Sequence, residues 1–148
     1  MKMMRALCAV ALAGLAFTAS ASAATEGWLD DYDKALAQAK AEKKLLFVLF
    51  TASDTKACMK QATEVFAPQQ FKDYAAKNLV LLEVDFPRKN EKSSAERARN
   101  TDLNARFGGR GFPVIVLLDS DEKEQTRFVG YGGGGAKDMI AKLELFRK

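Results

Sequence analysis

The run "LLFVLF" (45–50) sets six apolar side chains in succession with no polar residue between them. A strand with one wet face alternates apolar and polar positions. A strand covered on both faces does not, so this run predicts a strand in the middle of a sheet. "LVLLEVDF" (79–86) has the same character, and a helical stretch separates the two. Strands joined through a helix pair in parallel, by a right-handed crossover. Each face of such a sheet then needs a helical cover, which commits the chain to a layered α/β architecture.

The remaining elements fit that frame. "WLDDYDKALAQAKAEKK" (28–44) puts Leu29, Tyr32, Leu36 and Ala39 at helical spacing, with acids first and lysines last, as the helix dipole favours. A second helix is expected to start near Thr55 or Lys56 and run towards Phe66. Pro68 interrupts it, and "QQFKDYAAKN" (69–78) resumes it. Residues 87–111 are polar and basic at first, then helical with Ala95, Ala98, Leu103 and Phe107 as the apolar positions, stopping at Gly108-Gly109. "PVIVLL" (113–118) is the third strand and "TRFVGY" (126–131) its hairpin partner across the turn "DSDEKE". "AKDMIAKLELFRK" closes the chain as a helix with Met139, Ile140, Leu143 and Phe146 on one face. The order is α-β-α-β-α-β-β-α, a parallel pair followed by a hairpin.

The N-terminus reads as a leader. Lys2 and Arg5 precede an apolar stretch, "ALCAVALAGLAF" (6–17), and "TASASA" (18–23) supplies the small residues of a cleavage site after Ala23. The stretch is short of the roughly 20 residues that span a bilayer, which argues against a retained anchor. The lipoprotein alternative needs a small-residue motif before Cys8, and "RALC" lacks one. The expectation is therefore a signal peptide over 1–23 and one domain over 24–148, periplasmic or secreted and free of the membrane after cleavage. Loss of Lys2 and Arg5 takes the net charge from +4 to +2, too little to argue for nucleic acid. There is no His, which removes the commonest general base and metal ligand. With Cys8 gone, Cys58 is the one thiol left, and no internal disulfide is possible.

Several motifs in order, "LLFVLFTASD", "EVF" (64–66), "VDFP" (84–87), "LNARFGGRGFPV" (103–114) and "FVGY", after Trp28, Tyr32, Ala35 and Ala39, resemble secreted proteins of the thioredoxin superfamily. The resemblance covers nearly all of 28–146. It implies a thioredoxin-like three-layer sandwich, a central mixed four-stranded sheet with helices on both faces. It also implies a cis bond at Phe112-Pro113, beside a groove that accepts an extended peptide as an added strand. The family's two-thiol motif is degenerate here. Thr55 stands where the attacking Cys belongs and Cys58 where the resolving Cys belongs; a register shifted by one puts Lys56 and Met59 there instead. Leu49 occupies the position of a buried Asp that relays protons to the resolving thiol in relatives.

Three roles stay open for Cys58. It is a small buried apolar residue, or a monothiol that forms mixed disulfides, or a peroxide-attacking thiol, since "TKAC" is similar to the T-x-x-C of peroxiredoxins. The first turn of a helix, with Lys56 and Lys60 beside it and the Thr55 hydroxyl as a cap or a donor to sulfur, favours thiolate. The peroxide role also asks for a nearby arginine, with Arg110 or Arg127 as candidates, and for a Pro where Thr51 stands. Candidate site residues are thus Cys58 and Thr55 for chemistry and Phe112 and Pro113 for a protein or peptide client. No cofactor or metal is expected. "GYGGGG" (130–135) has no second strand to complete a nucleotide site. Arg88, Lys89, Lys92, Arg97 and Arg99 are interleaved with acids as on a solvated face. "DSDEKE" lacks calcium-loop spacing and reads as a tight turn.

Overall fold

The computed structural model describes residues 26–89 and 92–147; the leader and Cys8 lie outside them. A single mixed sheet of five strands runs through the middle in the order β1-β3-β2-β4-β5: β1 Trp28–Leu29, β2 Leu45–Thr51, β3 Leu79–Asp85, β4 Val114–Leu118 and β5 Glu124–Val129. β2 pairs in parallel with β3, from Leu45↔Leu79 to Thr51↔Asp85, and antiparallel with β4, from Leu46↔Leu118 to Phe50↔Val114. β4 and β5 form the expected hairpin.

Strand alternation sorts the core into two clusters. Phe47, Leu49, Leu81, Ile115 and Leu117 face one way, with α3 (Gln69–Asn78) and α5 (Gly135–Glu144) packed against them through Phe71, Ala75, Met139 and Leu143. Leu46, Val48, Phe50, Val80, Leu82 and Val116 face the other way, under Tyr32, Ala35 and Ala39 of α1 (Tyr32–Glu42) and Leu103 of α4 (Ser94–Arg106). The layers are helix, sheet, helix, as expected.

The expected four-stranded sheet gains a fifth strand at the edge, where residues 28–44 read as one helix. Asp31 is the reason: its backbone is extended and its side chain accepts from the Lys34 N–H, so α1 starts at Tyr32. That frees Trp28 and Leu29 to pair with Leu81 and Leu82. α4 also differs from its expected face. Ala95 and Ala98 are exposed, and Asn100 with Leu103 is buried, the Asn100 amide donating to the Asp85 carbonyl at 3.0 Å. Ser93 and Glu96 close this helix with a capping box. Arg106 lies 5.3 Å over the Tyr32 ring and 4.7 Å over Phe107, and pairs with Glu122 at 3.2 Å; Glu122 also accepts from the Tyr32 hydroxyl. These contacts tie α1, the end of α4 and the β4–β5 turn together. That turn is built around Asp119, whose carboxylate accepts from Asp121, Lys123 and Gln125.

The fully buried Phe47 sits edge-on to Trp28, Phe66 and Phe71, at 5.9, 6.0 and 5.9 Å. Phe47→Ala removes the centre of this cluster and is expected to cost about 3–5 kcal/mol, because the surrounding rings cannot close the cavity. Equilibrium unfolding in urea measures it.

Candidate functional site

The C-terminal ends of β2 and β3 and the start of β4 meet at one end of the sheet, because Thr51 pairs with Asp85 and Phe50 with Val114. The loop leaving β2 is latched to β3. Asp85 accepts from the Ser53 N–H at 2.9 Å and its hydroxyl at 2.7 Å, and Asp54 accepts from the Arg88 N–H at 2.8 Å. The chain then enters α2 (Lys56–Gln61), which continues as a π-helical turn, Ala62–Phe66. The wider turn puts both Val65 and Phe66 into the core. π turns of this kind concentrate at functional sites.

Thr55 holds the N-cap position with an extended backbone, but its side chain does not cap. The hydroxyl donates to the Ala52 carbonyl at 2.8 Å, and the Thr55 N–H donates to the same oxygen at 2.9 Å. This corrects the expected cap or sulfur contact: Thr55 is spent on tightening the turn. Cys58 is a free thiol in the first turn of α2, only 4% exposed. Lys56 and Lys60 flank it in sequence and point to solvent, with Lys60 3.9 Å from Glu64. Arg127, a candidate for an anion-binding role, is committed elsewhere. It grips Glu124 at 2.6 and 2.5 Å and donates to the Gly108 and Phe107 carbonyls at 2.8 and 3.2 Å. Arg110 is exposed on the loop before Phe112.

The Phe112-Pro113 peptide bond is cis. Pro113 is buried, and its carbonyl accepts from the Gly130 N–H at 2.8 Å. Phe112 is 37% exposed and stacks on Phe86, the residue after β3, with centroids 5.1 Å apart. Among the described residues, no turn or loop hydrogen bond occupies the Phe112 backbone. With Met59 exposed at 56% on α2, this end of the sheet carries uncovered apolar surface.

Glu83 was passed over in the sequence. It is the single acid inside an otherwise apolar stretch of β3, in parallel register with Leu49. Register partners share a face, and Leu49 and Leu81 fix that face as the one beneath α3 and α5. Glu83, Leu49, Thr51, Cys58, Ala62 and Trp28 are among the many residues that line an open groove of about 1070 Å³, which runs from Lys44 and Leu79 at one end of the sheet to Ser53 at the other. Burial, and secondarily Asp85, push the Glu83 carboxyl above its ordinary value, while Lys92 pulls it down. The available signal was an acid interrupting the apolar run at 79–84.

The thioredoxin-like family model matches residues 27–120. The chain belongs to the thioredoxin-like family. It is 32% identical to the disulfide bond reductase DsbH of Chlamydia pneumoniae over 124 residues, covering 83% of this chain and 74% of the relative. A solved structure of a DsbH oxidoreductase superposes with a TM-score of 0.74 at 29% identity, covering 89% of this chain and 92% of that one. The thioredoxin-related protein DsbJ of the same organism is 29% identical over 106 residues, 71% of this chain but 30% of its own length.

The thioredoxin-like domain carries a pH signature through Glu83. Folding raises its proton affinity, so the folded state holds the proton to higher pH than the unfolded chain. Stability therefore falls as pH climbs from the ordinary carboxylate value to the raised one. Glu83→Gln is expected to melt above wild type at pH 7 to 8, with the gap shrinking as pH drops below 4.5, the ordinary value for Glu. Thermal unfolding across pH, followed by circular dichroism, reads this directly; a gap independent of pH refutes it.

Proposed function

We propose that this chain is an exported redox accessory protein that holds an extended polypeptide client beside Pro113, with Cys58 as a single thiol able to join that client covalently. The contrast at the turn carries the reading: Phe112 is exposed at a cis peptide bond, whereas Cys58 is 4% exposed and has no thiol three residues before it. Strand addition at Phe112 needs free backbone groups and an apolar shelf, and Phe112, Phe86 and Met59 are suited to supply the shelf. The name of the related disulfide bond reductase supports protein disulfides as the chemical setting. Export rests on the leader read in residues 1–23.

Joining to a client is one thiol–disulfide exchange. The Cys58 thiolate attacks one sulfur of a client disulfide, the client S–S bond breaks, and the departing sulfur leaves as a thiolate that takes up a proton. A second thiol molecule then releases the client. The peroxidase reading has less support, since Arg127 is bound to Glu124 and to the carbonyls of Phe107 and Gly108.

Pro113→Ala and Phe112→Ala are expected to weaken capture of an unfolded client peptide about tenfold, roughly 1.4 kcal/mol, with the fold intact by circular dichroism. Unchanged capture in a folded variant removes the client-binding role. Iodoacetamide labelling of native Cys58 is compared with that of the urea-unfolded chain, as exposure controls thiol reactivity; comparable rates support covalent joining, and much slower native labelling removes it and leaves Cys58 a buried apolar residue. Thr55→Cys is expected to gain weak insulin reduction with dithiothreitol as the electron source. Complete inactivity places Thr55 out of register with the family's attacking thiol.

A further inference from the structure

Lys56, Arg88, Lys89 and Arg110 stand at the end of the sheet where β2 and β3 finish and β4 begins. Lys56 opens α2, Arg88 and Lys89 follow β3, and Arg110 lies just before Phe112; all are exposed. Contacts between the segments bring them together. The Asp54 carboxylate, on the loop that leads into α2, accepts from the Arg88 N–H at 2.8 Å and the Lys89 N–H at 3.3 Å. Phe86 stacks on Phe112 with centroids 5.1 Å apart, which joins the end of β3 to the loop that carries Arg110. Lys56 and Met59, at i and i+3, are neighbours on one face of α2. These cations therefore border the apolar shelf of Phe112, Phe86 and Met59.

The fold makes no use of their charge. Among the described residues the ion pairs are made by Lys44, Lys60, Arg106, Arg127, Lys142 and Arg147, and by none of these cations. Lys56 is placed against its own helix, since a first turn favours an acid and α2 has none there. The acids of the same loops are turned inwards. Asp85 accepts from the Ser53 N–H and hydroxyl, and Asp54 from the backbone of Arg88 and Lys89. Of the acids interleaved with the basic run, Glu96 is spent on the Ser93 capping box, and Glu91 lies outside the described residues.

We infer that the client is acidic: an extended polypeptide that lays an apolar side chain on the shelf and offers flanking Asp or Glu side chains to Lys56, Arg88, Lys89 and Arg110. This rests on the proposed client site and names the class of sequence that fills it. A Phe112 backbone free of turn and loop hydrogen bonds among the described residues, beside stacked rings, fits a polypeptide. Charge then chooses among polypeptides. The small net charge of the whole chain, +4 with the leader, is too slight to favour a lipid surface or a nucleic acid in its place. Exposed charges act weakly one at a time, so the preference is a sum over the rim.

The test measures binding of two fluorescent peptides to the chain from residue 24 onwards, by anisotropy. Both share one apolar core; glutamates flank it in the first and lysines in the second. At low salt the glutamate peptide is expected to bind about tenfold tighter. In roughly 1 M sodium chloride, where the screening length is about 3 Å, the two affinities are expected to converge. Arg88→Glu/Lys89→Glu/Arg110→Glu is expected to reverse the order with an unchanged circular dichroism spectrum. Lys56→Glu is expected to weaken the glutamate peptide about threefold and to melt no lower than wild type, because the new carboxylate suits the helix dipole.

Equal affinities at low salt overturn the inference, as does a preference that survives charge reversal in a folded variant. Vesicles of phosphatidylglycerol that displace the glutamate peptide, and bind Phe112→Ala as they bind wild type, overturn it in favour of a lipid surface. Pro113→Ala reads the client site apart from the charge. Equal affinities in wild type, both lost in Pro113→Ala, sink the acidic preference alone. Binding that Pro113→Ala and Phe112→Ala leave unchanged sinks the client site as well.

Discussion

β2 is hydrogen-bonded on both edges, by β3 and by β4, and covered on both faces by helices. Five of its seven residues are large apolar side chains at 5% exposure or less, split alternately between the two core clusters. Burying each such side chain contributes about 1.5–3 kcal/mol against the entropy of ordering the chain. β4 shares this position, paired with β2 and β5 and buried on both faces, so the two strands form the closed centre of the sheet. The layers of the protein are arranged around this pair, and a polar residue at Leu46, Phe47 or Val48 would have no hydrogen-bonding partner left to find.

The same constraint locates the chemistry. A parallel pair ends both its strands at the same side of the sheet, so the turn after Thr51 and the exit of β3 at Asp85 must be neighbours. Antiparallel pairing with β4 brings Pro113 to that side as well. The loop then spends its polar groups on holding itself: Ser53 on Asp85, Asp54 on Arg88, Thr55 on Ala52. What remains uncommitted is an exposed aromatic at a cis-proline and a shielded thiol. These belong to a thioredoxin-like protein with the free thiol of Cys58 at its strand-to-helix turn.

Much of this was legible in the chain. The unbroken apolar runs at 45–50 and 79–86, the hairpin after 118, and the amphipathic closing helix came through because their periodicity is strong and local. The strand at Trp28–Leu29 did not, since its apolar spacing continues that of α1 and only the Asp31 cap separates them. Ala95 and Ala98 suggested a buried face that α4 turns to solvent, because a polar Asn100 is buried instead, satisfied by the Asp85 carbonyl. The Thr55 hydroxyl was given a role by its closeness to Cys58 in sequence, and Arg127 because the peroxide reading asks for an arginine; both are held by backbone carbonyls instead.

The amino-acid order by itself determined the α/β layering, the single thiol of the segment after Ala23, and the place of that thiol at a strand-to-helix turn. All of these follow from residue type and short-range periodicity. The burial of Cys58 and the placing of Glu83 on the same face as Leu49 were decided only by tertiary structure. For Glu83 the cause is the register of β3 against β2, which joins residues 34 positions apart, and no local pattern encodes which partner a buried strand will align with.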